Sequence, residues 1–110
     1  MKEVHMKKPC SIKQDRFSVA PMLEITNKHW RFLARLLTKR ATLYTEMINA
    51  NCILNHKDGH QKLLDYQPCE NKLVLQLGGN DPLKLARCAQ IAEQMGYDEV
   101  NLNVGCPSNK

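Results

Sequence analysis

At 110 residues, with 43% hydrophobic and 25% charged residues, the chain has the length and composition of one globular domain of modest size. No segment approaches the ~20 consecutive apolar residues that span a bilayer, and no apolar stretch follows the basic N-terminus as it would in a secretory signal. These exclusions predict a cytoplasmic protein with no membrane segment. The five cysteines are odd in number and widely spaced, which fits reduced thiols better than a disulfide framework.

The net charge of +5 and the histidines give only weak functional signals. A basic cluster predicts either polyanion binding or a solvated helix face with cations near the helix C-terminus. Its members are Lys28, Arg31, Arg35, Lys39 and Arg40. The spacing His56-x-x-x-His60 is the nearest approach to a metal motif, but no second pair lies at zinc-finger spacing. A polar loop is the favoured interpretation of residues 55–60, and no metal site is expected.

The first half of the chain predicts a strand, a helix, a second strand and a short helix. Residues 17–20 are a short apolar strand, and Thr26 and Asn27 are candidate N-caps for the helix that follows. That helix is predicted by apolar residues at helical spacing, namely Trp30, Leu33, Ala34 and Leu37. The second strand is predicted at residues 43–48 and the short helix at residues 50–56.

The second half predicts a strand, a long helix and a final strand. Residues 73–77 form the third strand, and the helix after it has Asp81 as N-cap, Pro82 at its first position and Gly96 just past its end. Its inner stripe has helical spacing and consists of Leu85, Cys88, Ala89, Ala92 and Met95, so Cys88 is most simply a core residue. The fourth strand is predicted at residues 99–104.

Strands that alternate with helices, without hairpin turns between them, predict parallel βαβ units with right-handed crossovers. The fold class is therefore α/β, and four such units fit either a small open sheet or the first half of a (β/α)8 barrel. Because the chain stops in the loop after the fourth strand, we expect a fragment. Residues 1–15 are then an N-terminal tail, and residues 16–110 a truncated TIM-barrel catalytic domain with the first four strands.

Cys106 follows the fourth predicted strand, on a turn restricted by Gly105 and Pro107. In parallel α/β folds, the loops at the carboxyl ends of the strands carry the chemistry, which makes Cys106 a candidate reactant. A cysteine also serves as a small buried apolar residue. Position and chemistry alone leave both interpretations open.

Four segments occur in the order and approximate spacing of one enzyme family. They are Phe17-Ser-Val-Ala-Pro-Met-Leu23, Leu43-Tyr-Thr-Glu-Met47, Leu75-Gln-Leu-Gly-Gly79 followed by Asp81-Pro82, and Gly96-Tyr-Asp-Glu-Val-Asn-Leu-Asn-Val-Gly-Cys-Pro-Ser108. The chain resembles the tRNA-dihydrouridine synthases, most closely their A-type (20/20a) bacterial branch. The resemblance implies a TIM barrel followed by a small helical domain. It also implies reduction of the C5–C6 bond of uridines in the tRNA D-loop, with FMN as cofactor and NADPH as reductant.

The resemblance implies roles for individual residues. The flavin ring would lie against Pro21, Met22 and Leu23. Gln76 would hydrogen-bond the polar edge of the flavin, and Asn103 would contact the substrate uridine. Cys106 would protonate C5 of the uracil, because hydride transfer from the flavin to C6 leaves carbanion character at C5. A uracil inside folded tRNA must be extracted into a pocket before this chemistry can occur.

Each of these residues also has a purely structural interpretation. Gln76 fits a polar strand-end residue, Met22 fits core filler, and Asn103 fits a side chain that bonds the turn backbone. Glu46 lies on the second strand, where a buried carboxylate would need a partner. It is a candidate site residue without an assigned role.

Two other classes of protein remain open. One is a different FMN barrel, such as a dihydroorotate dehydrogenase-like enzyme, which carries a similar turn on its fourth strand. The other is a non-catalytic truncated product that self-associates through open strand edges. In either the synthase or the truncated case, we expect the fragment by itself to be inactive, since barrels of this kind bind phosphate through the loops after strands seven and eight.

Overall fold

The structure is a computed structural model that describes residues 16–70 and 72–105. Within them, one sheet has the spatial order β1-β2-β3-β4, and each strand pairs in parallel with the next along the chain. The strands are β1 Ser18–Val19, β2 Thr42–Asn49, β3 Leu73–Gly78 and β4 Glu99–Leu102. Parallel strands in sequential order with helices between them confirm the predicted α/β fold of an N-terminal half of a (β/α)8 barrel. The predicted tail, residues 1–15, lies outside the described residues.

Helices follow the first three strands, and local signals set their ends. They are α1 Lys28–Leu37, α2 Ala50–Asn55, α3 Gly59–Leu63 and α4 Pro82–Met95, with a 3-10 turn at Pro68–Glu70. Of the two candidate caps of α1, Asn27 is the N-cap, because its side-chain oxygen accepts from the N–H groups of His29 and Trp30 at 3.0 Å. Asp81 caps α4, and Gly96 ends it with a left-handed φ of 91°.

The core lies between the sheet and α4, with β3 at its centre. All six residues of β3 are buried. The largest buried side chains of the cluster include Leu43, Ile53, Leu64, Leu73, Leu75 and Leu77. Cys88 is fully buried, and its Sγ lies 3.7 Å from the carbonyl oxygen of Ala50. Burial raises the pKa of the Cys88 thiol. The prediction that Cys88 is a core residue is therefore confirmed.

Helix α1 buries a face that its apolar residues do not predict. Leu33 and Leu37 are 55% and 82% exposed, while Arg31 and Arg35 are buried beside Ala34. The Arg35 guanidinium donates to four backbone carbonyls, those of Thr38, Ala41, Glu70 and Lys72. Because a guanidinium can satisfy several carbonyls at once, it suits a helix that covers irregular backbone. The solvated-face interpretation of the basic cluster is therefore wrong for Arg31 and Arg35.

Two strand boundaries are tighter than predicted. β1 covers Ser18–Val19 rather than residues 17–20, and β4 ends at Leu102 rather than at Val104. The ladder nevertheless continues one step past β4, because the Asn103 N–H donates to the carbonyl oxygen of Leu77 at 2.9 Å.

The segment of residues 55–60 is more regular than the predicted polar loop. It holds the end of α2 and the start of α3, with His56 at the C-cap of α2 and His60 inside α3. In the described part of the chain, no three His, Cys, Asp or Glu side chains group closely enough to hold a metal ion. No helix in that part combines the length and hydropathy required to cross a bilayer.

Candidate functional site

The carboxyl ends of the parallel strands bring several of the predicted site residues to one edge of the sheet. Gln76 lies near the end of β3, and Asn103 directly follows β4. The segment of residues 20–27, which we call the β1-exit loop, follows β1 and contains Met22. Since neighbouring strands lie about 4.8 Å apart, β1 and β3 are separated by about 10 Å. The β1-exit loop and Gln76 therefore lie at the same edge of the sheet, with β2 between their strands.

An amide cluster lies on one face of the sheet at this edge. Gln76 and Asn101 are register partners on β3 and β4, and the Gln76 Nε2 donates to the Asn101 Oδ1 at 2.8 Å. The Gln76 Oε1 accepts from the Asn103 Nδ2 at 3.4 Å. Gln76 is 9% exposed, so its amide is nearly fixed in place. Each amide has a second N–H and a second lone pair, which suits the C=O and N–H groups along the edge of a pyrimidine-type ring.

Asn103 also shapes the backbone that leads to Cys106. Its Oδ1 accepts from the N–H of Gly105 at 2.9 Å, which is an Asx-type turn. The Asn103 side chain therefore bonds the turn backbone, as its structural interpretation predicts, and it also bonds Gln76. Cys106 itself lies outside the described residues, and its proposed role stays a prediction.

The β1-exit loop is closed by its own hydrogen bonds around Met22. The Met22 carbonyl accepts from the N–H groups of Ile25 at 3.0 Å and Thr26 at 2.9 Å. The Thr26 hydroxyl, which is fully buried, accepts from the Met22 N–H at 3.0 Å. The loop leaves Met22 36% and Leu23 66% exposed, with Pro21 half-buried. The core-filler interpretation of Met22 is therefore not supported.

A buried ion pair anchors the far end of this loop to α1 and the 3-10 turn. The Arg31 Nε lies 2.5 Å from the Glu70 Oε1, and both side chains are at most 5% exposed. The Arg31 NH1 donates to the carbonyl of Thr26 at 2.8 Å, and the second Glu70 oxygen accepts from the Gln67 N–H at 2.5 Å. The position of Thr26 is thus set by a charged network inside the protein.

A β-bulge interrupts β2 beside the amide cluster. Tyr44 pairs with Val74 and Met47 pairs with Gln76, so β2 has one residue more than β3 between these pairs. Thr45 occupies the irregularity. Its hydroxyl accepts from the Gln76 N–H at 3.1 Å and donates to the carbonyl of Glu46 at 2.7 Å. As bulges do elsewhere, this one changes the direction of the side chains around it.

The bulge gives Met47 the register position opposite Gln76. Met47 is 41% exposed, and a Cβ added at Gly78 would lie 3.0 Å from its Sδ. Glu46, the residue before Met47, bonds the β1-exit loop instead. Its Oε1 accepts a hydrogen bond from the backbone N–H of Glu24 in the β1-exit loop.

A cleft lies beside the β1-exit loop, and none of the amide-cluster residues lines it. It has a volume of about 550 Å³, and its lining includes Leu23, Glu46, Lys28, Cys52 and Lys62. The Lys28 Nζ lies 3.1 Å from the Asp65 Oδ2 in an exposed ion pair. Neither Gln76 nor Asn103 lines this cleft. Of the predicted site residues, Leu23 and Glu46 therefore line the cleft, while Gln76 and Asn103 lie at the strand edge outside it.

Three residues of this region were missed by the sequence interpretation. Asn101 alternates with Asn103 along β4, and that spacing of two would have placed both side chains on one face of a strand. Thr26 was considered only as a helix cap, although it closes the β1-exit loop. Glu70 had no local signal, because its partner Arg31 lies 39 residues away.

The molecule is thus an α/β domain with an amide cluster and a closed β1-exit loop at the carboxyl edge of its parallel sheet. The sequence model of the dihydrouridine synthase (Dus) family matches residues 18–110. The chain therefore belongs to the dihydrouridine synthase family. This match decides against the alternative of a dihydroorotate dehydrogenase-like barrel.

Curated relatives give the same assignment. The chain is 53% identical over 95 residues to the tRNA-dihydrouridine(20/20a) synthase of Pasteurella multocida and 55% identical over 95 residues to that of Pseudomonas aeruginosa. Each match covers 86% of this chain and 28% of the relative. A relative with the same name in Synechocystis is 55% identical over 93 residues, which are 84% of this chain and 27% of the relative. The chain thus spans little more than a quarter of the length of these relatives.

Proposed function

We propose that this chain is the N-terminal part of a cytoplasmic tRNA-dihydrouridine synthase that reduces a D-loop uridine of the 20/20a type to 5,6-dihydrouridine. The observation that carries the proposal is identity above 50% to tRNA-dihydrouridine(20/20a) synthases over 86% of the chain. FMN is the proposed cofactor, NADPH the reductant and tRNA the partner.

The proposal for FMN is supported by the chemistry of the groups at the strand edge. The exposed side chains of Met22 and Leu23 offer an apolar surface for one face of a ring. Gln76, fixed by its bonds to Asn101 and Asn103, has donor and acceptor capacity left for the polar edge of the ring. Pro21 restricts the backbone at the start of this contact. The residues present therefore fit a flavin ring, which Met22, Leu23 and Gln76 would hold.

When bound, FMN supplies the hydride that reduces C6 of the uracil, and NADPH restores the reduced cofactor. The chain's own residues bind and protonate the substrate. Asn103 hydrogen-bonds the uridine, and its Asx turn fixes the backbone at Gly105, the residue before Cys106 in the sequence. Cys106 donates its proton to C5, which is feasible because an ordinary cysteine thiol is mostly protonated at neutral pH. The uracil reaches these groups only after extraction from the folded tRNA.

The 110-residue chain on its own is expected to bind FMN weakly and to leave tRNA unreduced. Barrel enzymes hold cofactor phosphates mainly in the loops after the seventh and eighth strands, and the chain spans 28% of its relatives. Apolar side chains are also exposed on α1, namely Phe32, Leu33, Leu36 and Leu37. We therefore expect self-association in size-exclusion chromatography. Tight stoichiometric FMN binding by a stable monomer, measured by flavin fluorescence, would contradict the expectations of weak FMN binding and of self-association.

A chimeric enzyme tests the catalytic assignment. Residues 18–110 replace the matching segment of the Pseudomonas aeruginosa relative, and stopped-flow absorption follows the flavin. In Cys106→Ala, flavin reduction by NADPH should stay near normal, while flavin reoxidation by tRNA should slow by ~10²–10⁴-fold. The control is Cys88→Ala, which should lower stability and leave both rates unchanged, because Cys88 is in the core. Reoxidation at the unmutated rate in Cys106→Ala would show that another group is the acid.

A further inference from the structure

Glu24, in the β1-exit loop, has a backbone conformation that needs an external restraint. Its φ is 62°, and it is the one non-glycine residue with a positive φ within residues 16–70 and 72–105. Side chains with a Cβ disfavour this left-handed region, and Asn and Asp adopt it more readily than Glu because their short side chains bond the local backbone. The bonds of Ile25 and Thr26 to Met22 close the loop on either side of Glu24, and the restraint from outside the loop is the hydrogen bond from the Glu24 N–H to the Glu46 Oε1.

The β-bulge of β2 is what makes this bond possible. Regular alternation from Tyr44, which pairs with Val74, would give Glu46 the position opposite Gln76. The extra residue moves Met47 into that position, so Glu46 takes the other face of the strand and reaches the neighbouring loop. The bulge is itself held by the Thr45 hydroxyl, which bonds both Gln76 and the Glu46 carbonyl. The register of β2 against β3 thus sets the direction of the Glu46 side chain.

Two anchors then hold the loop at different points. The buried pair of Arg31 and Glu70 fixes the end of the loop at Thr26. Glu46 is only half-buried and fixes the middle of the loop at Glu24. Because the half-buried Glu46 side chain is not part of the hydrophobic core cluster, its loss should free the loop without unfolding the sheet.

We infer that Glu46 is a positioning residue whose carboxylate holds the β1-exit loop in the conformation that displays Met22 and Leu23. The importance of this restraint for flavin binding rests on the proposed function, which places the flavin against these two residues. Glu46 acts through the backbone of Glu24 and takes no part in hydride or proton transfer. The Glu46 carboxylate on the bulged strand β2 thereby fixes the conformation of the loop that follows the neighbouring strand β1.

Hydrogen–deuterium exchange of the 110-residue chain, read by peptide mass spectrometry, tests this inference. Glu46→Ala should speed exchange in a peptide over residues 20–27 by about 10- to 100-fold, the range expected for a lost hydrogen bond to a charged group. Exchange in the β3 peptide, residues 73–78, should stay unchanged. Glu46→Gln keeps a side-chain oxygen as acceptor and should restore most of the protection. The matched control is Glu93→Ala on the exposed surface of α4, which should alter neither peptide.

Three results would overturn the inference. The first is unchanged exchange over residues 20–27 in Glu46→Ala, and the second is equal acceleration in both peptides, which would mean a general loss of stability. The third is a Glu46→Gln variant that exchanges as fast as Glu46→Ala. No flavin or tRNA is present in this experiment, so its failure would leave the proposed function standing. Failure of the chimeric enzyme would likewise leave the measured loop restraint intact.

Discussion

Removal of the Glu70 carboxylate should destabilise this chain more than loss of any exposed charge. The Glu70 side chain is fully buried and accepts two hydrogen bonds, from the Arg31 Nε and the Gln67 N–H, both at 2.5 Å. Two bonds to a charged group at about 1.5–3 kcal/mol each give about 3–6 kcal/mol. Removing one partner of a buried ion pair typically costs about 3–5 kcal/mol, because the other charge is left uncompensated. We therefore expect Glu70→Ala to lose about 3–5 kcal/mol of unfolding free energy.

Urea titration followed by the fluorescence of Trp30, the single tryptophan of the chain, measures this loss. For a domain of this size, the loss corresponds to a melting temperature more than about 12 °C lower. The control is Asp65→Ala, which breaks the exposed Lys28–Asp65 pair and should cost under about 1 kcal/mol. A Glu70→Ala variant within about 1 kcal/mol of the unmutated chain would refute the reasoning that this buried charge must be compensated.

Two further predictions concern the tyrosine contacts near the end of α4. Burial raises the pKa of Tyr97 above its ordinary value of 10.0, which means that the folded state favours the protonated phenol. The stability that Tyr97 contributes is therefore complete below pH 10 and is lost as the pH rises further. Tyr97→Phe should flatten that alkaline loss in urea titrations between pH 7 and 11. It should also cost about 1–3 kcal/mol at pH 7, because the carbonyl of Leu64 loses its partner at 2.8 Å. Gly96→Ala should cost about 1–2 kcal/mol for the left-handed backbone alone. It should cost more because the new Cβ would lie 2.7 Å from the Tyr66 hydroxyl. Because that hydroxyl also donates to the Met95 carbonyl at 2.7 Å, the comparison is made against Tyr66→Phe alone, in which Gly96→Ala should cost only the backbone part in thermal melts.

The elements of this fold could be predicted because their signals are local. β3 is a mainly apolar run followed by two glycines, and α4 has its cap Asp81, its Pro82 and its terminal Gly96 at its own ends. Parallel pairing then follows from the alternation of strands and helices. Cys88 could be assigned to the core because the period of a helix fixes which side chains share a face.

The arrangement of the candidate site could be predicted only in part. Topology places the exits of β1, β3 and β4 at one edge, so the β1-exit loop, Gln76 and Asn103 were expected together. The bond between Gln76 and Asn101 was not expected, because it joins residues 25 positions apart and depends on the exact register of β3 and β4. One residue of slip in β4 would have turned the Asn101 side chain to the other face of the sheet, away from Gln76.

Sequence by itself determined the fold class, the order of the strands and the family motifs, since short-range backbone preferences and hydrophobic periodicity suffice for these. Only the tertiary structure decided which charged side chains pair with groups that are distant in the sequence. Arg31 looked like a surface cation until a partner 39 residues away placed it inside the protein. Glu46 had no role until a bulge turned it toward a backbone N–H 22 residues before it. Pairings of this kind depend on helix placement and strand register. The packing of the whole chain sets both, so no local sequence pattern predicts these pairings.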